Sequence, residues 1–107
     1  MEDPIFMSDT EKPLFVPLHT KFYKAFVDGS KTVEYRRYGN AWNERTCRPG
    51  RRVTLSCGYG KRYRREGIVT RVWKTECPWM LPGWIECYGN NLSDVACCIE
   101  IKLNPKP

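Results

Sequence analysis

The sequence predicts an α+β domain, built as a small antiparallel β-barrel with one clear helix after the first strand and short helical turns on its rim. Three observations lead to this prediction: several segments alternate apolar and polar residues, one segment has helical spacing, and turns containing Gly or Pro separate them. At 107 residues the chain can bury about two-thirds of its unfolded surface in a single core. We therefore expect one domain at residues 14–103, after a mobile leader at 1–13 and before a short tail at 104–107.

The first strand, the helix and the second strand are predicted between residues 14 and 38. Leu14 to His19 is a short apolar run, and Pro17 places it at a sheet edge or a strand end. Thr20 is expected to cap the helix, and Gly29 to end it in a left-handed conformation. The apolar stripe of this helix consists of Phe22, Tyr23, Phe26 and Val27. The alternation in residues 31–38 then predicts the second strand.

The remaining strands follow a loop at residues 39–50. Residues 53–57 alternate as a strand, residues 58–60 turn the chain, and residues 63–74 return as a long strand. Two prolines limit residues 75–94 to a single helical turn, near Trp84 to Tyr88 or near Ser93. Residues 95–103 alternate cleanly, which predicts a final strand with one buried face.

Hydropathy excludes several classes of protein. No apolar run approaches the roughly 20 residues that a membrane span requires. Residues 1–12 are polar and acidic and contain no apolar signal-peptide core. We therefore expect a soluble, cytoplasmic protein without membrane contacts, and we assume a monomer.

The cysteines and the single histidine do not form a metal-binding pattern. The cysteines stand at 47, 57, 77, 87, 97 and 98, without a Cys-x-x-Cys pair, and the histidine is His19. Structural zinc usually requires ligands paired about two to four residues apart, so neither a metal nor another cofactor is expected. We expect reduced thiols that act mostly as small apolar side chains.

Positive charge is concentrated in the middle of the chain. Residues 36–74 hold twelve Lys or Arg side chains and two carboxylates, Glu44 and Glu66, whereas each flank is slightly acidic. Such a distribution is typical of surfaces that bind phosphates or another polyanion. The alternative is a solvated, arginine-rich hairpin without a ligand.

The octet Gly29-Ser30-Lys31-Thr32-Val33-Glu34-Tyr35-Arg36 lies between the predicted helix and the second strand. It resembles the signature of the ASCH domain, Gly-x-Lys-x-x-Glu-x-Arg. The segment Pro49-Gly50-Arg51-Arg52-Val53 is similar to the Pro-Gly step before that family's next strand. In element order the resemblance covers residues 14–103, and the octet is its specific part.

The resemblance implies a PUA-like fold and a cleft beside the octet in which relatives bind RNA or modified nucleosides. Some small bacterial relatives are amidohydrolases that remove the acetyl group from N-acetylated cytidine, and at least one acts as a ribonuclease. Lys31 matches the family's functional lysine. The amidohydrolases carry a catalytic threonine where this chain has Glu34. Their third catalytic residue is a glutamate before the last strand, for which Glu86 is the nearest candidate and Glu76 the next.

The octet also suggests chemistry without the resemblance. A partly buried Lys31 would have a lowered pKa and could act as a base or an amine nucleophile, whereas a nearby Glu34 would keep it protonated as a phosphate or carbonyl ligand. Glu34 and Arg36 share a strand face with Thr32. The carboxylate could accept from the amino edge of cytosine, and the arginine could bind phosphate through two hydrogen bonds. The alternatives are a Lys31–Glu34 surface ion pair and a cross-strand salt bridge that fixes the register.

Aromatic and basic side chains are interleaved beyond the octet, a pattern that suits the stacking of single-stranded bases. The predicted ligand-binding residues are Thr32, Arg36, Tyr38, Trp42, Tyr59, Lys61, Arg62, Arg64 and Arg65. The candidate catalytic residues are Lys31, Glu34 and Glu86. Tyr35 and Trp73 are expected in the core, and His19 outside the site. Trp79 and Trp84 could either line the cleft as a lid or close the end of the barrel.

Three functions are predicted, in order of preference. The first is a module that binds RNA or a modified nucleoside in a cleft beside the octet. The second is a small hydrolase, either an amidohydrolase on an acylated nucleoside or a weak ribonuclease, in which Lys31 is the nucleophile or base. The third is a protein-interaction domain whose basic hairpin contacts an acidic partner.

Overall fold

The computed structural model describes residues 11–105. The strands in this range are β1 (Leu14–Leu18), β2 (Val33–Arg37), β3 (Arg52–Cys57), β4 (Arg64–Thr75) and β5 (Ala96–Leu103). Helix α1 (Thr20–Asp28) follows β1, while a 3-10 turn (Pro78–Met80) and the short helix α2 (Trp84–Tyr88) lie between β4 and β5. Most of the predicted leader, residues 1–10, and the end of the tail, residues 106–107, lie outside the described residues.

The α+β class, the main helix and the helical turn at Trp84 are confirmed, but the antiparallel barrel is not. The strands form one curled mixed sheet, a half-barrel, in the order β1-β3-β4-β5-β2. Strand β1 runs parallel to β3, from Leu14 opposite Val53 to Leu18 opposite Cys57, and the other neighbouring strands are antiparallel. This parallel pair is formed because α1, β2 and the loop at 39–50 return the chain from the end of β1 to the start of β3.

Helix α1 begins differently from the prediction and ends as predicted. Its N-cap is His19, because the extended conformation of β1 continues through this residue, and Thr20 is already helical. The Thr20 hydroxyl lies 3.5 Å from the Cys57 sulfur instead of capping the helix. Gly29 has a φ of 87° and donates its N–H to the Phe26 carbonyl, which confirms the left-handed helix end.

The sheet is buried on two sides. The main core lies on the side covered by α1 and includes Val16, Phe26, Val53, Leu55, Val69, Cys97 and Ile99. On the other side Trp84 of α2 packs with Ala96 and Cys98. Strand β5 therefore has two buried faces and not one, because the small residues that the alternation assigned to solvent lie under α2. Three of the six free cysteines are buried, as expected for small apolar side chains.

Strands β1 and β2 are the two edges of this curled sheet, and the gap between them forms an open seam. Pro17 lies in β1, so its prediction as an edge residue is confirmed. Its carbonyl accepts a hydrogen bond from Arg36 Nη2 of β2 at 2.5 Å, and this contact crosses the seam. Within residues 11–105, no helix is long and apolar enough to cross a membrane.

Candidate functional site

A cavity of about 320 Å³ lies at the seam between β1 and β2. Pro17 and Leu18 line it from β1, and Trp84 and Tyr88 of α2 line another side. The octet contributes Lys31, Glu34, Tyr35 and Arg36. The volume is near the lower end of the range of small-molecule pockets, about 300–1,000 Å³. We call this cavity the seam pocket, and its size suits a ligand such as one base or nucleoside.

Lys31 lies in the seam pocket among aromatic rings. Its backbone N–H donates to the Ala25 carbonyl at 3.0 Å, so the end of α1 fixes its position. Its ammonium nitrogen lies 4.6 Å from the centre of the Tyr35 ring and 5.4 Å from that of Phe22. Burial lowers the pKa of Lys31, while the Glu34 carboxylate acts in the opposite direction. This combination gives the pocket a cation that is less strongly hydrated than a surface lysine.

Glu34 lies between two cations and is only 7% exposed. One carboxylate oxygen is 3.7 Å from Lys31 Nζ, and the other accepts from Arg36 Nε at 2.7 Å. The Lys31–Glu34 pair is therefore buried and is not a surface ion pair. The Glu34–Arg36 pair runs along one strand and does not bridge two, so it does not fix a strand register.

Arg36 connects the two edges of the seam. Besides its bonds to Glu34 and to the Pro17 carbonyl, its guanidinium lies 4.7 Å from the centre of the Trp42 ring. These contacts hold the guanidinium in place and orient the Glu34 carboxylate toward Lys31. Arg36 is thus a positioning residue of the pocket as well as a candidate ligand contact.

Sequence reasoning missed the pocket walls formed by His19, Phe22 and Tyr88, and it left open whether Trp84 lines the cleft. His19, which was expected outside the site, lines it together with Phe22. On α2, the rings of Trp84 and Tyr88 pack in a tilted arrangement with their centres 4.3 Å apart, and both line the pocket. Burial raises the pKa of Tyr88, so its hydroxyl stays neutral over a wide pH range. The available signal was the spacing of the two aromatic residues, which are four apart and share a helix face.

Other predicted residues do not line the seam pocket. Glu86 is exposed on α2 and forms an ion pair with Lys21 of α1 at 3.1 Å. Glu76 is exposed after β4. Thr32 lines a second, more open cavity of about 490 Å³ beside β5 and does not line the seam pocket. Glu86 is therefore not brought to the lysine, whereas Thr32 follows Lys31 in the chain and shares only the second cavity with it.

The predicted aromatic residues differ in their surroundings. Tyr38 and Trp42 are partly buried against the main core, and the Tyr38 hydroxyl donates to Glu44, which raises the pKa of Tyr38. Tyr59, in contrast, is 80% exposed and lines the seam pocket. Tyr35 and Trp73 pack around the smaller core, as expected.

The four predicted cations of the β3–β4 hairpin divide into separate places. Lys61 and Arg62 are exposed in the turn. Arg64 donates to the Gly60 carbonyl, and Arg65 on the opposite face of β4 donates to the Asn104 carbonyl. The basic hairpin therefore has one group of cations at its tip and on its outer face, and Arg65 on the helix side.

In the described part of the chain, no three His, Cys, Asp or Glu side chains cluster closely enough to hold a metal ion. Comparison of the chain with models of known protein families gives no match, and no curated protein matches it either.

Proposed function

We propose that this chain is an ASCH-type domain with a PUA-like fold, and that it binds RNA or a modified nucleoside through one base in the seam pocket. The observation that carries the proposal is the buried Lys31–Glu34–Arg36 group inside an aromatic-walled pocket of nucleoside size. The curled half-barrel and the helix before the octet support the family resemblance.

The pocket offers complementary contacts for a planar, polar ligand. Aromatic walls such as Tyr35 and Tyr88 offer apolar ring surface to a base, and the Glu34 carboxylate is an acceptor for an exocyclic amino group. Lys31 offers ammonium donors to a carbonyl or phosphate oxygen. A reducing compartment such as the cytoplasm suits the exposed thiols of Cys77 and Cys87.

A hydrolase is the second candidate, and the lowered pKa of Lys31 favours it. Burial makes a neutral amine more accessible at Lys31, and a neutral amine is the form that acts as a base or nucleophile. The reaction would be hydrolysis of an N-acyl nucleoside, with Glu34 as the nearby proton acceptor 3.7 Å from the lysine. The position of Glu86 at the surface leaves this candidate without its expected third carboxylate, which is why binding is preferred.

The test is a titration of the protein with cytidine 5′-monophosphate and with N-acetylated cytidine, followed by tryptophan fluorescence because Trp84 lines the pocket. We expect a saturable change that Lys31→Met weakens, with Lys24→Ala on the exposed face of α1 as the matched lysine control. Release of acetate in the same samples, lost in Lys31→Met, would establish the hydrolase. No saturable change with either compound would contradict the proposed pocket function.

A further inference from the structure

The exposed aromatic rings of the described chain are gathered at one place. Within the described residues, the exposed large aromatic side chains are Phe15, Tyr59 and Tyr63, whose exposed fractions are 37%, 80% and 56%. Tyr59 and Tyr63 belong to the β3–β4 hairpin, and Phe15 of β1 lies beside them with its ring centre 6.1 Å from that of Tyr59. Exposed aromatic rings in a cluster mark an interaction surface more strongly than scattered ones do.

Within residues 11–105, the cations at the same place form no ion pair with an acidic side chain. Lys21, Lys31, Arg36, Arg37, Arg48, Arg51 and Arg71 each form an ion pair within residues 11–105. In the same range no ion pair involves Lys61, Arg62 or Arg64. These side chains therefore keep their positive charge available for an external anion.

Two of these cations also form cation–π contacts with the exposed rings. The Arg64 guanidinium lies 5.1 Å from the centre of the Phe15 ring, and its Nε donates to the Gly60 carbonyl at 3.1 Å. The Arg62 guanidinium lies 5.4 Å from the centre of the Tyr63 ring at the hairpin tip. We call the surface made of Phe15, Tyr59, Arg64 and the turn residues Lys61, Arg62 and Tyr63 the hairpin platform.

The hairpin platform is continuous with the seam pocket, because Tyr59 belongs to both. Phe15 and Arg64 lie on the outer face of the sheet. Phe15 alternates along β1 with the buried Leu14 and Val16. Arg64 of β4 is opposite Ser56 of β3, and Ser56 is opposite Pro17 of β1. A ligand that leaves the pocket past Tyr59 therefore meets Phe15 and Arg64 next. Neither described helix covers this part of the outer face, since α1 packs on the other side of the sheet and α2 packs at β5.

We propose that the hairpin platform binds the nucleotides next to the base in the pocket, so that the ligand is a single-stranded nucleic acid and not a free nucleoside. Exposed rings suit single strands because each unpaired base has a face to stack, whereas a duplex keeps its base faces covered. Cations beside the rings that form no ion pair within the described residues suit the phosphates between those bases. This inference rests on the proposed function, since it takes the seam pocket as the site of the first base.

The first probe is an oligocytidylate of about ten nucleotides, made as RNA and as DNA, and its binding is measured by fluorescence anisotropy. Its duplex with oligoguanylate and cytidine 5′-monophosphate are then measured by competition against this single strand. We expect the single strand to bind more tightly than both the duplex and the mononucleotide. Phe15→Thr removes a ring outside the pocket and keeps a residue that favours a strand. It should weaken single-strand binding about tenfold, the effect of about 1.4 kcal/mol, and leave mononucleotide binding unchanged.

Salt dependence tests the cations separately. Arg62→Ala should reduce the slope of log K against log[salt] by about 0.7, the contribution of one phosphate contact to a single strand. Lys24→Ala on α1, which lies on the other side of the sheet, should leave the slope unchanged. Retained circular dichroism and mononucleotide affinity show that each variant is folded with an intact pocket.

The outcomes separate the two proposals. Unchanged oligonucleotide affinity in Phe15→Thr, or equal affinity for the duplex, overturns the hairpin platform while Lys31-dependent mononucleotide binding still supports the pocket. Oligonucleotide binding that Lys31→Met does not affect contradicts the proposed function and the inference that rests on it. Binding of neither nucleic acid nor mononucleotide also overturns both, and leaves an acidic protein as the partner to test.

Discussion

Replacing Glu34 by glutamine removes the negative charge between Lys31 and Arg36 while keeping the size of the side chain. Glu34 is 7% exposed, with its oxygens 2.7 Å from Arg36 Nε and 3.7 Å from Lys31 Nζ. Removing one partner of a buried ion pair typically costs about 3–5 kcal/mol, because it leaves an uncompensated buried charge. Arg36 retains its bond to the Pro17 carbonyl and its contact with Trp42, so we expect a loss near the lower limit, about 3 kcal/mol.

Lys31→Met is the matched variant, and its effect should be much smaller. The Glu34 carboxylate keeps its bond to Arg36, whereas the ammonium that is removed is one whose burial already lowers its pKa. Methionine fills the space of the lysine stem among Phe22, Phe26 and Tyr35. We expect a change in the free energy of unfolding of less than about 1 kcal/mol in either direction.

Urea unfolding at neutral pH measures both effects. With an m-value of about 1–3 kcal/mol/M, a loss of about 3 kcal/mol lowers the midpoint by about 1–3 M. A Glu34→Gln midpoint close to that of the wild type would show that the carboxylate is solvated and not buried between two charges. A Lys31→Met loss equal to that of Glu34→Gln would show that Lys31, and not Arg36, is the main partner of the carboxylate.

Three further predictions follow from the geometry. An anionic ligand that binds Lys31 should raise the lowered pKa of this lysine, so that binding takes up protons at alkaline pH. Calorimetry in buffers of different ionisation enthalpy detects this proton uptake, and Lys31→Met should abolish it. Arg36→Lys keeps the charge, but lysine lacks the planar guanidinium that reaches both Glu34 and the Pro17 carbonyl. We expect the free energy of unfolding in urea to fall by about 1.5 kcal/mol, and an unchanged midpoint would contradict the bridging role. Gly67→Ala should destabilise the protein by about 1–3 kcal/mol, because the new Cβ would lie 2.6 Å from the Lys102 carbonyl oxygen. Gly60→Ala is the control, since the space around Gly60 is open. Equal melting temperatures of the two variants would refute the close approach at Gly67.

Local signals in the sequence predicted the local structure well. The left-handed Gly29 and the placement of Glu34 and Arg36 on one strand face depend on neighbouring residues, and the structure confirms both. Alternation also located both ends of β3 and both ends of β4 to within one residue. It could not indicate that β1 pairs in parallel with β3, because a strand of five residues has the same pattern in either direction.

The seam pocket was predictable only in part, because its walls come from separate segments. Lys31 and Glu34 were identified through the octet, whereas His19 and Trp84 become neighbours of it only when the sheet curls and α2 docks. The second buried face of β5 was missed for the same reason, since its cover, α2, lies in the least regular part of the sequence. Glu86 was chosen by its position before the last strand, but its side of α2 faces Lys21 and solvent.

The open seam explains why a pocket and a bridging arginine occur together in this fold. Pro17 has no backbone N–H, so β1 cannot form a complete ladder with an approaching strand at this point. Its carbonyl remains an acceptor, and Arg36 satisfies it from the facing edge without drawing β1 and β2 into a backbone pair. The gap that stays open is the seam pocket, and the same guanidinium holds Glu34 within it. The Arg36 side chain therefore both satisfies the edge of β1 and holds Glu34 in the seam pocket. For this reason Arg36→Lys should lower the stability of the fold and also weaken the proposed ligand binding.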